Sequence, residues 1–248
     1  MKNILAKAQR DLIKRFACND TLVALDFDGS LASITRDPRA AQLKASTRKL
    51  LAAVATRYPT VVISGRARAD VLARLESIPV RAVVGNHGLE PSADAQRYRT
   101  TVRGWLPLLR EKLESRPGVE IENKLYSLSI HYRRAKLKSA TLGAIRGAIS
   151  ALNGEARSIP GKQVINLLPT GAPDKGATLS ALRDSVQAAR TIYIGDDATD
   201  EDAFRHASER LLGIKVGRSN QTHADYYLAK QTDVDRFLEN LLELSDVA

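Results

Sequence analysis

Cysteine is nearly absent from this sequence, and its single residue, Cys18, cannot form a disulfide within the chain. Such sparse cysteine suits a reducing compartment, and we expect a cytoplasmic protein. No apolar run approaches the roughly 20 residues that a membrane-spanning helix needs. The first ten residues are interrupted by charges too often for a signal-peptide core. We therefore expect no membrane association.

Aromatic side chains make up only 5% of the chain, and its 38 lysines and arginines are spread along it rather than concentrated in one run. With 28 acidic residues the net charge is +10. This charge is compatible with nucleic acid, an anionic membrane or a phosphorylated small molecule as the ligand. The even spread favours a solvated surface that attracts small anions. We expect a small-molecule substrate, no nucleic-acid partner and a monomer.

Short runs rich in valine, isoleucine and leucine alternate with segments of helical period up to about residue 90, and again after residue 172. Such continuous runs are typical of buried parallel strands. They lie at residues 22–25, 61–63, 82–84 and 191–194, with further candidate strands at 211–216 and 226–228. Helical period is also present at residues 4–16 and 234–244.

Residues 100–172 interrupt this alternation. Within them, residues 125–132 alternate between apolar and polar side chains, which is the period of a half-exposed antiparallel strand. A segment of helical period at residues 138–152 and an apolar run follow it. The pattern predicts an α/β protein with a discontinuous core of residues 1–99 and 173–248 and an inserted α+β module of residues 100–172.

Acidic residues directly follow two of the predicted strands. Asp26 and Asp28 come after the first strand, and Asp196 opens an acidic stretch that continues to residue 202. Because ligands bind at the carboxyl ends of strands in open α/β sheets, these carboxylates can meet at one site. Carboxylate oxygens suit Mg²⁺ that is shared with a substrate phosphate. Either loop alone would be interpreted as a solvated turn; together they favour a site.

Groups suited to holding phosphate follow two other predicted elements. Ser64, Gly65 and Arg66 lie at a strand-to-helix turn, where amide groups favour anions. Lys175 lies in the first turn of a predicted helix, where its ammonium group can neutralise a carboxylate and a phosphate together. Each signal taken alone is also typical of a structural or solvated residue.

These motifs occur in the order found in haloacid-dehalogenase-like (HAD) phosphatases. From about Leu22 to the end, the chain resembles the trehalose-6-phosphate phosphatase family in particular, and residues 195–202 (GDDATDED) are the most specific match. The other matching segments are residues 26–30 (DFDGS), 64–66 (SGR), 85–90 (GNHGLE), 122–124 (ENK), 127–133 (SLSIHYR) and 174–176 (DKG).

The resemblance implies a HAD-type, Rossmann-like core with a parallel central sheet, plus an inserted α+β cap domain of the C2 type. It implies a magnesium-dependent phosphoric monoester hydrolase of trehalose biosynthesis, which converts trehalose 6-phosphate to trehalose and phosphate. By the same resemblance, Asp26 attacks phosphorus to form an aspartyl phosphate, and Asp28 first donates and later accepts a proton.

The resemblance also assigns the remaining site residues. The metal ligands would be Asp26, Asp28 through its backbone carbonyl, and Asp196, with Asp197 and Asp200 orienting groups around the metal. The phosphate would be held by Ser64, Gly65 and Lys175. The substrate's sugar would be contacted by Arg66, His87, Glu122, Lys124, Arg133 and Asn166. The alternative to sugar binding by the alternating strand is that its polar face is exposed to solvent and contacts no ligand.

Asn166 departs from the family pattern, which has a glutamate followed by an arginine and a proline at this point. The chain has Asn166-Leu167-Leu168-Pro169 there. Asparagine can accept one hydrogen bond and donate another but carries no charge. The alternative substrates are therefore glucosylglycerol phosphate, mannosyl-3-phosphoglycerate and sucrose phosphate. A non-catalytic sugar-phosphate sensor on the same fold is the alternative of a different class.

Overall fold

The computed structural model describes residues 1–35, 37–91, 93–161, 163–205 and 209–245. The chain divides into two compact units: unit 1 is Met1–Gly88 with Pro173–Ala248, and unit 2 is Leu89–Ala172. The sequence placed the first boundary after residue 99, whereas this division lies eleven residues earlier. The difference arises because a helix that begins at Ala95 packs its buried face within unit 2.

Strands and helices are numbered along the chain. The strands are β1 (Lys2–Asn3), β2 (Thr21–Leu25), β3 (Thr60–Ile63), β4 (Ala82–Val84), β5 (Glu120–Asn123), β6 (Leu128–His131), β7 (Ala156–Gly161), β8 (Val164–Pro169), β9 (Arg190–Gly195), β10 (Leu211–Val216) and β11 (Tyr226–Leu228). The helices are α1 (Arg10–Phe16), α2 (Ala45–Arg57), α3 (Arg68–Leu75), α4 (Ala95–Leu113), α5 (Lys138–Ser150), α6 (Lys175–Ser185), α7 (Glu201–Phe204) and α8 (Asp233–Ser245).

Unit 1 is built on a parallel sheet of seven strands in the order β1-β11-β10-β9-β2-β3-β4. Alternate residues of each strand point to opposite faces, so Val23 and Leu25 pack on one side and Leu22 and Ala24 on the other. Helices α1, α2, α3 and α8 cover the first face, while α6 and α7 cover the second. This arrangement buries both faces of the sheet, as parallel sheets require.

The strand order reverses at β2, which lies between β9 and β3. Leu25 pairs with Ile194 of β9, and the N–H of Asp26 donates to the Ile194 carbonyl at 2.8 Å. The two strands that precede the acidic loops are therefore direct neighbours. Their carboxyl ends meet at the topological switch point, where ligands bind in sheets of this kind.

Unit 2 contains an antiparallel sheet in the order β5-β6-β8-β7. Helices α4 and α5 cover one face of it, and the shared core includes Trp105, Leu109, Ile130, Ile145 and Leu167. The predicted fold class, a parallel central sheet with a separate smaller α+β unit, is confirmed. No helix in the described ranges is long and apolar enough to cross a membrane.

The N-terminal prediction of a helix over residues 4–16 is wrong for its first half. Residues 2–3 form β1, which pairs in parallel with β11, and the α-helix starts only at Arg10 after a 3-10 turn. The Asn3 side chain accepts a hydrogen bond from the N–H of Leu5 at 3.0 Å, which turns the chain out of the strand. Ile4 is fully buried in the core instead of lying on a helix face.

Candidate active site

Carboxylates from the ends of β2 and β9 converge at the switch point. Asp26, Asp196 and Asp200 each have an oxygen atom within 4.8 Å of the oxygens of the other two. Asp26 is 5% exposed and Asp200 is fully buried. The sequence prediction that the two acidic loops meet is therefore correct in its geometry.

Lys175, at the start of α6, lies within this group of acids and is only 2% exposed. Its ammonium group donates to Oδ1 of Asp26 at 2.6 Å and to Oδ1 of Asp200 at 2.7 Å. Asp200 is further fixed by the Tyr193 hydroxyl, which donates to Oδ1 at 2.7 Å, and by the Asp197 N–H, which donates to Oδ2 at 2.9 Å. Both oxygens of Asp200 are thus used to hold other groups in place.

The pKa values of these residues depend on their burial and on the excess of carboxylates over lysines at the site. Burial would lower the pKa of Lys175, but the carboxylates of Asp200 and Asp26 outweigh it and hold that pKa well above its ordinary value. Burial also opposes ionisation of Asp200, yet the contact with Lys175 holds its pKa below the usual range. For Asp26, burial dominates and raises the pKa well above normal.

The pKa of Asp196 is also raised. Burial, followed by repulsion from Asp200 and Asp197, raises its pKa to about 7. The positive charges of Lys175 and Lys215 act in the opposite direction but do not offset burial and the neighbouring carboxylates. The carboxylate oxygens lie close together, and their negative charge is not fully balanced by neighbouring positive groups. A hard divalent cation binds oxygen ligands of this kind. The residues present thus fit a metal ion of that type.

Two glycines let the carboxylates approach the strand ends closely. Gly29 has a φ of +80°, and a Cβ atom added there would overlap the carboxylate of Asp196. A Cβ atom added at Gly195 would overlap the side chain of Asp200 in the same way. Glycine is required at both positions for close approach of backbone and side chain.

Asp28 does not point its carboxylate into the acidic group. Its two oxygens accept hydrogen bonds from Arg66, at 2.6 Å from Nε and 2.7 Å from Nη2. Arg66 also donates from Nη1 to Asp70 at 2.8 Å, and Asp70 pairs with Arg74. Burial would lower the pKa of Arg66, but the two carboxylates raise it. The predicted sugar contact Arg66 is therefore engaged with carboxylates of unit 1.

The predicted phosphate-binding turn lies next to the loop that contains His87. Ser64 is 1% exposed, and its hydroxyl accepts a hydrogen bond from the N–H of Arg66 at 3.2 Å. The Ser64 carbonyl accepts from the N–H of His87 at 2.9 Å. His87 is buried in a left-handed conformation with a φ of 61°, and its ring fills the space that a Cβ at Gly65 would need.

The predicted sugar contacts of unit 2 lie on its antiparallel sheet. Glu122, Ser129 and Asn166 are opposite one another on β5, β6 and β8. The Ser129 hydroxyl donates to Oδ1 of Asn166 at 2.7 Å, and both residues are buried. The alternating pattern predicts that Ser129 lies on a half-exposed face of β6. In the structure this face is more buried than the pattern indicates.

The other two predicted contacts are near the ends of these strands. Lys124 lies 3.9 Å from Oε2 of Glu122, an oxygen that is also 2.8 Å from Nε2 of His131. Arg133 is exposed after β6, and its carbonyl accepts a hydrogen bond from Lys138 at 2.7 Å.

Three residues were missed in the sequence: Tyr193 and Ser129, which make contacts described above, and Lys215, whose ammonium group donates to the Asp196 carbonyl at 3.0 Å. Tyr193 was assigned only to an apolar strand, although it lies two residues before Gly195 and so near the strand end. Ser129 was placed in the alternating strand and in the matching segment of residues 127–133, but it was given no role at the site. Lys215 was overlooked as well, although a lysine within the apolar run of residues 211–216 is itself a signal, since buried lysines are rare unless they are paired.

Comparisons with known proteins agree with this geometry. Residues 24–232 match the family model described as trehalose-phosphatase. Trehalose-phosphate phosphatase B of Arabidopsis thaliana is 30% identical over 245 residues, covering 88% of this chain and 65% of that protein. The trehalose-phosphate phosphatase of Mycobacterium leprae is 31% identical, covering 95% of this chain and 62% of that protein.

This chain thus spans less than two thirds of the length of both relatives. Among solved structures, the C-terminal domain of a C. albicans trehalose-6-phosphate phosphatase superposes with a TM-score of 0.77. It covers 96% of this chain and 98% of its own at 22% identity, which is a similarity of fold. The resemblance noted in the sequence is confirmed: the chain belongs to the trehalose-phosphatase family.

Proposed function

We propose that the protein is a magnesium-dependent phosphatase that hydrolyses trehalose 6-phosphate to trehalose and phosphate. The observation that carries this proposal is the buried Asp26 carboxylate at the end of β2, which Lys175 holds at 2.6 Å beside Asp196 and Asp200. The family match includes all of these residues. The names of the relatives support the choice of substrate.

In the first half of the reaction, an oxygen of Asp26 attacks phosphorus and forms an aspartyl phosphate. The bond between phosphorus and the sugar oxygen breaks, and Asp28 donates the proton that this oxygen requires. Asp28 must leave Arg66 to do so, since both of its oxygens accept hydrogen bonds from that guanidinium group. Arg66, once released, is available for the substrate.

In the second half, Asp28 accepts a proton from water as the water oxygen attacks phosphorus. The bond between phosphorus and the Asp26 oxygen breaks, which releases phosphate and restores the carboxylate. Ser64, Gly65 and Lys175 hold the oxygens of the phosphate in both halves. Lys175 is fixed for this role, because Asp200 uses Oδ1 to accept from both the lysine and Tyr193.

Asp26, Asp196 and the backbone carbonyl of Asp28 would hold Mg²⁺, which supplies positive charge to the phosphate oxygens. Asp200 is better suited to anchoring Lys175 than to binding the metal, because both of its oxygens already accept hydrogen bonds. Asp197 has a similar supporting role, since its N–H donates to Asp200 and its side chain accepts from the N–H of Thr199.

Unit 2 would act as the cap domain and recognise the sugar through Glu122, Lys124, Arg133 and Asn166, together with His87 of unit 1. A related sugar phosphate is the second candidate substrate, and Asn166 is the observation that favours it. The Ser129 hydroxyl donates to Oδ1 of Asn166, so the amide of Asn166 offers its N–H groups to a ligand. A glutamate at this position would offer an acceptor instead.

The test is phosphate release with and without Mg²⁺ from a panel of sugar phosphates. The panel contains trehalose 6-phosphate, glucose 6-phosphate, sucrose phosphate, glucosylglycerol phosphate and mannosyl-3-phosphoglycerate. We expect the highest kcat/KM with trehalose 6-phosphate and no turnover without a divalent cation. A value no higher than that for glucose 6-phosphate would rule out the disaccharide assignment, and a lack of turnover with every compound would favour a sensor.

A further inference from the structure

Lys215 is a buried lysine that the mechanism above does not use. It lies on β10 between Ile214 and Val216 and is 9% exposed. Burying an ammonium group is costly unless other groups satisfy its charge and its three donor hydrogens. The contacts of Lys215 therefore indicate what the residue holds in place.

The ammonium group of Lys215 reaches the backbone of the acidic loop from the side of β10. It donates to the carbonyl of Asp196 at 3.0 Å and to that of Asp197 at 3.3 Å. It also lies 3.4 Å from Oε1 of Glu201 and 5.9 Å from the centre of the Phe204 ring. The carbonyls and the carboxylate together satisfy the buried charge.

Glu201 connects Lys215 to a second part of unit 1. Its Oε2 accepts a hydrogen bond from the N–H of His223 at 2.9 Å and lies 3.3 Å from Nδ1 of the same residue. These contacts hold the pKa of Glu201 below its usual range, although burial acts in the opposite direction. The acidic loop, α7 and the segment before β11 are therefore joined around one lysine.

One peptide unit connects Lys215 to the candidate metal site. The carbonyl of Asp196 and the N–H of Asp197 belong to the same peptide group, which is planar. Lys215 binds the carbonyl end, while the N–H end donates to Asp200 at 2.9 Å. Fixing this peptide fixes the backbone from which the Asp196 carboxylate extends, and it keeps Asp200 where it can hold Lys175.

We propose that Lys215 is a positioning residue that sets the affinity of the site for divalent cations. Its hydrogen bonds go to the backbone of residues 196–197 and not to the carboxylates of the candidate metal ligands or the phosphate-binding turn. Its positive charge also acts on the Asp196 carboxylate. The inference rests on the proposed function solely through the metal site. It predicts that loss of the Lys215 side chain weakens the binding of a divalent cation without slowing the chemical step.

The test is calorimetric titration of Mg²⁺ into Lys215→Met, with Lys49→Met, an exposed lysine of α2, as the matched control. Changing a residue that supports metal ligands typically costs about 10- to 100-fold in metal affinity, and we expect a loss in that range. Turnover at saturating Mg²⁺ should stay within about threefold of the wild type, because the reacting groups are unchanged. Glu201→Gln, which leaves the bonds from Lys215 to the carbonyls, should lose less affinity than Lys215→Met.

An unchanged Mg²⁺ affinity in folded Lys215→Met would overturn the proposal, as would an equal loss in Lys49→Met. If Lys215→Met does not fold, Lys215→Gln, which keeps a donor amide without the charge, is measured in the same way and decides the question. The titration needs no substrate. A wrong sugar-phosphate assignment would therefore leave its result intact, whereas a wild type that binds no Mg²⁺ would refute the metal site and this inference together.

Discussion

Units 1 and 2 differ in how they hold their functional candidates. In unit 1, Asp26, Lys175 and Asp200 are at most 5% exposed and are joined by hydrogen bonds of 2.6 and 2.7 Å. In unit 2, Asn166 is buried and bonded to Ser129, but Glu122 and Arg133 are exposed. Buried and mutually bonded groups are preorganised for chemistry, while exposed groups can adjust to a ligand. Under the proposed function, unit 1 would carry the reaction and unit 2 would contribute to the choice of substrate.

The two units also differ in charge. Unit 2 contains 14 lysines and arginines and 7 aspartates and glutamates, so it carries +7 of the +10 on the chain. Unit 1 contains 24 and 21 of these residues and carries the remaining +3. A basic surface raises the local concentration of anionic substrates in a salt-dependent way. Under the proposed function, the net charge of +7 on unit 2 would favour the approach of an anionic sugar phosphate.

The largest expected effect is that of Asp26→Asn in unit 1. Asparagine has the same shape and still accepts a hydrogen bond from Lys175, but it is not a nucleophile. We expect kcat to fall by about 10⁴-fold or more, with the free energy of unfolding retained. Phosphate release and urea unfolding measure the two quantities. Turnover close to that of the wild type would show that the nucleophile is misassigned.

Lys175→Met should reduce both activity and stability. Removing the ammonium group leaves the carboxylates of Asp26 and Asp200 without their buried partner, and breaking a buried ion pair costs about 3–5 kcal/mol of unfolding free energy. Urea unfolding checks the stability, with Lys49→Met on the exposed face of α2 as the control. If Lys175→Met lost no more unfolding free energy than the control, the ion pairs of Lys175 with Asp26 and Asp200 would not stabilise unit 1.

Glu122→Gln tests the role of unit 2. If this side chain contacts the sugar, KM for trehalose 6-phosphate should rise by about 10-fold, the cost of one charged hydrogen bond. The kcat value should change little, because the reacting groups lie in unit 1. Glu120→Gln, exposed on the same strand, is the control and should behave as the wild type. A fall in kcat without a change in KM would contradict the division of roles.

The smallest expected effect concerns pH and the pKa of Asp196, which is raised from 3.8 to about 7. Between these values the unfolded chain has lost the proton that folded Asp196 keeps. Without metal, this group therefore makes the free energy of unfolding fall as pH rises from 3.8 to about 7. A bound cation removes this loss, so Mg²⁺ should stabilise the protein more at pH 8 than at pH 5. Urea unfolding with Asp196→Asn as the control checks this, and an equal Mg²⁺ effect at both pH values would contradict it.

The sequence predicted the elements of unit 1 well because short apolar runs followed by acids identify parallel strands and their carboxyl ends. It did not reveal that Tyr193 and Lys215 brace the acidic loop, since those contacts depend on which strands are neighbours. In unit 2, β5 was missed because Glu120–Asn123 is mostly polar. β7 was missed because it contains Pro160 and Gly161, residue types that are depleted in strands. At β1, pairing with the distant β11 overrides a local helical pattern.

The central claim is that Asp26 of unit 1 becomes phosphorylated during turnover. Rapid acid quenching during hydrolysis of trehalose 6-phosphate, followed by mass spectrometry of the tryptic peptides, tests it most directly. We predict a phosphoryl group on the peptide that contains Asp26 in the wild type and none in Asp26→Asn. Steady turnover by Asp26→Asn, with no phosphorylated peptide in either protein, would contradict the account.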